Sequence, residues 1–264
     1  MQSSVHHCSD VSIEETLASG RGIVDLWYWF YEGMDDADLV AAHEAIMTAD
    51  EREQYVSFHF ERDRLLFLAT RALVRTVLSR YAPVAPPDWR FAARGHGRPR
   101  VTQPVVTPRV HFNLANTPGL VVCAVSVAHK RLGVDVERID RKIDAIGLAE
   151  HNFSRSEVRA LRALPASDQT GRFFALWTLK ESYSKARGLG LALPLDQFSF
   201  LVNDDQIGAA FDPRLADDPM SWRFALLDVP PKHIIALSVQ TGGTPLSLRA
   251  TAIVPLKEKR NVDR

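Results

Sequence analysis

Cysteine is scarce: two among 264 residues, Cys8 in a polar leader and Cys123 inside an apolar run. They form neither a Cys-x-x-Cys pair nor a set of staples, which excludes a disulfide scaffold and a thiolate metal centre. Long apolar runs are missing too. The longest, Leu120 to Ala128, is too short to span a bilayer, and Met1 to Asp10 lacks the basic-then-apolar pattern of a secretory signal. No sign of charge predominates, with 32 Lys plus Arg against 32 Asp plus Glu, so no global field attracts nucleic acid or an anionic membrane. These absences predict a cytoplasmic protein with neither nucleic acid nor membrane as partner. With 46% hydrophobic residues, the chain suits one large domain or two of about 130 residues.

What is there begins after a leader, residues 1–20, which has no apolar periodicity and is expected to be mobile. Ile23 to Tyr31 is rich in aromatic and branched residues and reads as a buried strand. Thr48-Ala-Asp-Glu51 has the form of a capping box, and Asp63 to Arg80 carries the apolar stripe of a longer helix, stopped by Pro83, Pro86 and Pro87. From Trp89 to Val136 the pattern changes to short strands and turns. A second capping box, Ser154-Arg-Ser-Glu157, then precedes a long helix at Gly171 to Arg187. Strands at Phe198 to Val202, Trp222 to Leu227, Ile234 to Val239 and Leu246 to Ile253 follow. The plan is α+β and repeats once: an N-terminal half at 21–134, a C-terminal half at 135–245 and an extension at 246–264.

Asp135 and Glu137 stand one residue apart in the strand-like LGVDVE, so a period of two points both carboxylates to one face and Val134 and Val136 to the other. Two close carboxylates repel unless a cation lies between them, and a hard divalent ion such as Mg²⁺ suits oxygen ligands. In GRFFALWTLKESYSKARG the helical repeat sets Phe174, Thr178, Glu181 and Lys185 opposite a stripe of Leu176, Leu179, Tyr183 and Ala186, so Glu181 is available as a third ligand. Taken singly, these residues read first as an exposed i, i+4 ion pair and the solvated face of an edge strand. Arg62, Arg98 and the pair Asn116-Thr117 are further residues able to meet a phosphate.

The ordered series Gly97-Arg-Pro99, Phe112-Asn-Leu-Ala-Asn-Thr117, Gly133-Val-Asp-Val-Glu137, Trp177-Thr-Leu-Lys-Glu-Ser-Tyr-Ser-Lys185 and Gly188-Leu-Gly-Leu191 resembles the Sfp-type 4′-phosphopantetheinyl transferases over about residues 23 to 240. The resemblance implies a pseudo-twofold duplication of two similar α/β halves in one chain, with the donor site in the cleft between them. It also implies a monomeric cytoplasmic enzyme that moves 4′-phosphopantetheine from coenzyme A to a serine of an apo acyl or peptidyl carrier protein, releasing adenosine 3′,5′-bisphosphate.

By the same resemblance Asp135, Glu137 and Glu181 hold Mg²⁺, with Mn²⁺ as an alternative ion. Glu181 serves as general base, Lys185 meets the donor phosphates, and Lys180 either meets a phosphate or pairs with an acid. Arg98 and Pro99 lie along the adenosine, with Asn116 and Thr117 beside the donor, and Arg62 helps hold the 3′-phosphate. Two departures stand out. Ala115-Asn116 replaces the family's usual Ser-His, and Ala49 to Gln54 has only Arg52 where relatives are more basic. Both predict a weaker hold on the 3′-phosphate. Arg155, Arg159 and Arg162 offer a basic patch for an acidic carrier protein. A non-catalytic CoA- or carrier-binding module and a Mg-dependent CoA phosphodiester hydrolase are the competing classes.

Overall fold

The aromatic and branched residues of Ile23–Phe30 form the first strand, β1. It opens a computed structural model that describes residues 22–34, 36–94, 98–203 and 206–257, the side chains of Ala93, Arg94, Arg98 and Leu191 excepted. Three helices follow, α1 (Ala37–Ala45), α2 (Ala49–Ser57) and α3 (Glu61–Leu78), then a hairpin of β2 (Arg90–Arg94) and β3 (Arg98–Gln103), then β4 (His111–Thr117) and β5 (Leu120–Ser126). The same run of element types comes again: β6 (Leu132–Arg138), α4 (Ala145–Asn152), α5 (Arg155–Arg162), α6 (Ala166–Arg187), a hairpin of β7 (Phe198–Val202) and β8 (Ile207–Phe211), β9 (Trp222–Val229) and β10 (His233–Gln240). One sheet is ordered β11-β1-β5-β4 and the other β6-β10-β9, where β11 is Ser247–Ala252.

Period-two burial stacks these elements in four layers. On β1 and β5, Trp27, Trp29, Val121, Cys123 and Val125 face α3, while Val24, Leu26, Leu120, Val122 and Ala124 meet Val134, Val136, Ile235, Leu237 and Val239 of the second sheet. Ile234 and Ala236 point the other way, into a core with Leu179, Tyr183 and Ala186 of α6. Cys123 is the small core residue its apolar run predicts, and burial pushes its thiol pKa up. Cys8 and the leader lie outside the described residues. No described helix is long and apolar enough to cross a membrane.

Two expected boundaries move. The division at 134/135 cuts β6, all of which pairs with β10. The extension from 246 is no appendage in its first part, because β11 pairs in parallel with β1. Arg249 Nε lies 2.5 Å from Asp25 Oδ1, and Asp25 Oδ2 accepts from the Tyr81 hydroxyl at 2.6 Å. Trp27 Nε1 in turn donates to that hydroxyl at 2.8 Å.

His43 ends α1 buried against Trp29, its ring 5.1 Å away, with Nε2 3.0 Å from the Pro255 carbonyl. Burial lowers its pKa below the ordinary 6.5, and Lys257 adds to the shift against the Pro255 carbonyl. The unfolded chain therefore takes up this proton first, so the stability is whole above the ordinary value and falls as pH drops through and below it. Denaturant unfolding at pH values about one unit either side of it is expected to show this loss in the wild type and a smaller loss in His43→Gln. Equal losses in the two proteins would exclude His43 as the cause.

Candidate active site

Asp135 and Glu137 share the face of β6 turned toward α6, as the alternation with Val134 and Val136 predicts. The helix lies unusually close to this strand. A Cβ at Gly133 would fall 2.1 Å from the Ser182 carbonyl oxygen and 2.4 Å from the Ala186 amide nitrogen, so only glycine admits the helix there. The hydroxyls of Ser182 and Ser238 meet at 2.6 Å below it. Gly188, at φ 71°, then ends the helix in a left-handed cap.

This approach puts Glu181 and Lys185 over the β6 carboxylates. Lys185 Nζ lies 2.7 Å from Asp135 Oδ1, and Arg141 Nη2 lies 2.5 Å from Glu137 Oε2. Asp135 Oδ2 and Glu181 Oε1 are buried with no hydrogen-bond partner among the described residues. All three acids have pKa values raised from their ordinary ones, first by burial and next, for Glu137 and Glu181, by the charge of Asp135; for Asp135 itself, Lys185 opposes the shift. Among the described residues no three acid, imidazole or thiol side chains stand as a ready metal-holding group. What the fold brings together is a crowded carboxylate cluster bound by two cations.

The face expected to be solvated is not. Phe174 and Thr178, in register with Glu181, are buried, because α6 packs against the second sheet, β6 included, and against the β7–β8 hairpin. Lys180 is corrected as a phosphate contact. Its ammonium is fully buried, 2.8 Å from Glu157 Oε2, and donates to the Leu195 and Phe198 carbonyls at 2.8 and 2.6 Å. It takes the acid-pairing alternative. Glu157 also closes the α5 capping box and accepts the Phe200 amide at 2.9 Å. The first half has a parallel arrangement that sequence reasoning missed: Glu51 closes the α2 box and pairs with the buried Arg75 of α3 at 2.6 Å.

Beside the cluster, the Val134 amide donates to Asn113 Oδ1 at 2.8 Å, tying β4 to β6. On β4, Ala115 and Thr117 are buried, while Asn116 is exposed and joins Pro99 on the wall of a cavity of about 1110 Å³. Helices α2 and α3 and the β2–β3 hairpin form the rest of the wall. Arg62 does not reach it. Its side chain is 81% exposed, 3.6 Å from Asp63, and stacks on Phe60 at 5.0 Å, because it lies on the outer face of the first turn of α3. The Arg98 side chain lies outside the described residues. Of the basic patch on α5, Arg162 pairs with Glu150.

The 4′-phosphopantetheinyl transferase superfamily model matches residues 131–238, the stretch from β6 to β10 that carries Asp135, Glu137, Glu181 and Lys185. A 4′-phosphopantetheinyl transferase of Bacillus subtilis is 34% identical over 161 residues, 61% of this chain and 69% of that protein. The 4′-phosphopantetheinyl transferase HetI of Nostoc sp. is 32% identical over 148 residues, 56% of this chain and 62% of that one. A phosphopantetheinyl transferase of Thraustochytrium sp. is similar over more of the chain, 28% identical across 229 residues, 82% of this chain and 78% of that one. Strand, helix and carboxylate cluster thus coincide with the matched stretch, and the chain belongs to the 4′-phosphopantetheinyl transferase superfamily.

Proposed function

We propose that this chain transfers 4′-phosphopantetheine from coenzyme A to a serine hydroxyl of an apo acyl or peptidyl carrier protein, leaving adenosine 3′,5′-bisphosphate. The observation that carries the reading is the pair of buried, unpartnered carboxylate oxygens on Asp135 and Glu181. Buried acceptors of this kind are costly unless a cation or donor meets them, so the donor set fits Mg²⁺ or Mn²⁺, held by Asp135 and Glu181 with Glu137 beside them. Such an ion would neutralise charge on the donor pyrophosphate. Glu181, kept basic but raised by burial, accepts the serine proton. Lys185 is placed to exchange its Asp135 contact for a donor phosphate. Asn116 and Pro99 line the side that takes the nucleotide, and Thr117 shapes the end of β4 from within.

We also infer that the two halves are related by a pseudo-twofold duplication. Identical element order, matching sheet order β1-β5-β4 and β6-β10-β9, and a capping-box glutamate bound to a buried cation of the third helix in each half support it.

Intact mass of an apo carrier protein incubated with this chain, coenzyme A and Mg²⁺ tests the transfer. A gain of one phosphopantetheine that EDTA abolishes is expected. Free phosphopantetheine without a labelled carrier would point instead to a hydrolase, and bound but unchanged coenzyme A to a binding module.

A further inference from the structure

Three acids meet where α6 crosses β6, but they are not equally free. Asp135 gives Oδ1 to Lys185 at 2.7 Å and keeps Oδ2 without a partner, and Glu181 keeps Oε1 in the same condition. Glu137 instead holds a guanidinium, with Arg141 Nη2 2.5 Å from its Oε2. Arg141 stands in the connection that follows β6 and is fixed from two further sides. Its Nε donates to the Arg138 carbonyl at 3.1 Å, and its central carbon lies over the ring of the buried Phe174, 5.0 Å from the centroid. Phe174 belongs to the α6 stripe of Glu181 and Lys185 and precedes Glu181 by about two turns. The cluster therefore has one cation on Asp135 and another on Glu137, and the two buried oxygens left over belong to Asp135 and Glu181.

Mg²⁺ demands octahedral geometry and is ordinarily held by one or two carboxylates, its other positions going to water and substrate phosphate. A third carboxylate would take one of those positions and set a further negative charge against an incoming phosphate. A guanidinium stacked on an aromatic ring is well made to prevent this, since it is always charged and its flat face is held while its edge meets the carboxylate. We propose that Arg141 is a positioning residue that withholds Glu137 from the metal, so that the ion is held by Asp135 and Glu181 and keeps its remaining positions for donor phosphate and water. The family resemblance assigns all three acids to the ion; Arg141 removes one of them. The identity of the donor rests on the transferase reading above, whereas the ligand count is a property of the cluster itself.

Mn²⁺ added to the full chain tests the proposal, with affinity read from the EPR signal of free ion and bound water from proton relaxation. Arg141→Gln frees Glu137 and is expected to bind Mn²⁺ about tenfold more tightly, the worth of one charged contact, with about one water fewer on the ion. Arg141→Lys can still pair with Glu137 and is expected to stay within about threefold of wild type. Glu137→Ala, with Arg141 in place, is expected to leave the number of bound waters unchanged. A water gained in Glu137→Ala makes that residue a ligand and overturns the proposal, even if Arg141→Gln fails to fold. Tighter binding by Arg141→Gln with an unchanged water count also overturns it, because loss of a positive charge alone produces that result. Wild-type protein that binds no Mn²⁺ overturns it too. In carrier labelling, Arg141→Gln is expected to reach half-saturation at lower metal and to show a kcat about tenfold lower. If no variant and no wild type labels a carrier, the transferase reading falls while the Mn²⁺ measurements still decide the role of Arg141.

Discussion

Glu181→Gln is expected to lower kcat for carrier labelling by about 10²–10⁴-fold, the range for a lost general base, while the folded chain becomes no less stable. The two halves of this expectation have one cause. Glu181 sits among Asp135, Glu137 and Lys185 with Oε1 buried and without a partner, and burial and the Asp135 charge both raise its pKa. A carboxylate so placed is held at a cost to folding, which the neutral amide of the same shape relieves. The amide accepts no proton and ligates a hard cation poorly. Donor affinity and thermal unfolding, measured beside kcat, separate the roles. A variant within about threefold of wild-type kcat would remove Glu181 from the chemistry, and one that unfolds far below wild type would make it a structural acid.

Lys180→Ala is expected to do the reverse, destabilising the chain by about 3–5 kcal/mol, or roughly 10 °C in Tm. The change strips Glu157 of its buried cation and frees the Leu195 and Phe198 carbonyls. Glu157 would remain buried, still serving Ser154 and Phe200, with its charge uncompensated. Burial lowers the Lys180 pKa and Glu157 opposes that shift, so the two depend on each other. Lys180→Met with Glu157→Gln is therefore expected to lose less than the sum of the single changes. Additive losses would show that the pair is not coupled. Whatever variant folds should bind the nucleotide donor as the wild type does, since Lys180 faces the core; a lost donor affinity in folded protein would restore it to the phosphate site.

These neighbours in sequence have opposite fates because adjacent helical positions point about 100° apart. The helix pattern put Glu181 and Lys185 on one side, and the structure agrees. It could not tell whether that side met solvent or a strand. Gly133 decides this, because a missing Cβ lets α6 settle on β6. Likewise both capping boxes were legible as local motifs, but their glutamates' second partners were not: Arg75 lies 24 residues from Glu51.

The sequence by itself determined the α+β plan, most strand and helix positions, the pairing of Asp135 with Glu137 on one face and the family resemblance, because periodicity, caps and turn residues act over a few neighbours. Only the tertiary structure decided that β11 pairs in parallel with β1, beside an Arg249–Asp25 ion pair spanning 224 residues, that Lys180 is buried, that Arg62 stands outside the cavity and that Glu51 pairs with Arg71 and Arg75. Those outcomes depend on which distant groups packing brings within a few ångströms, and the worth of a charge is set by that burial and company rather than by its own type.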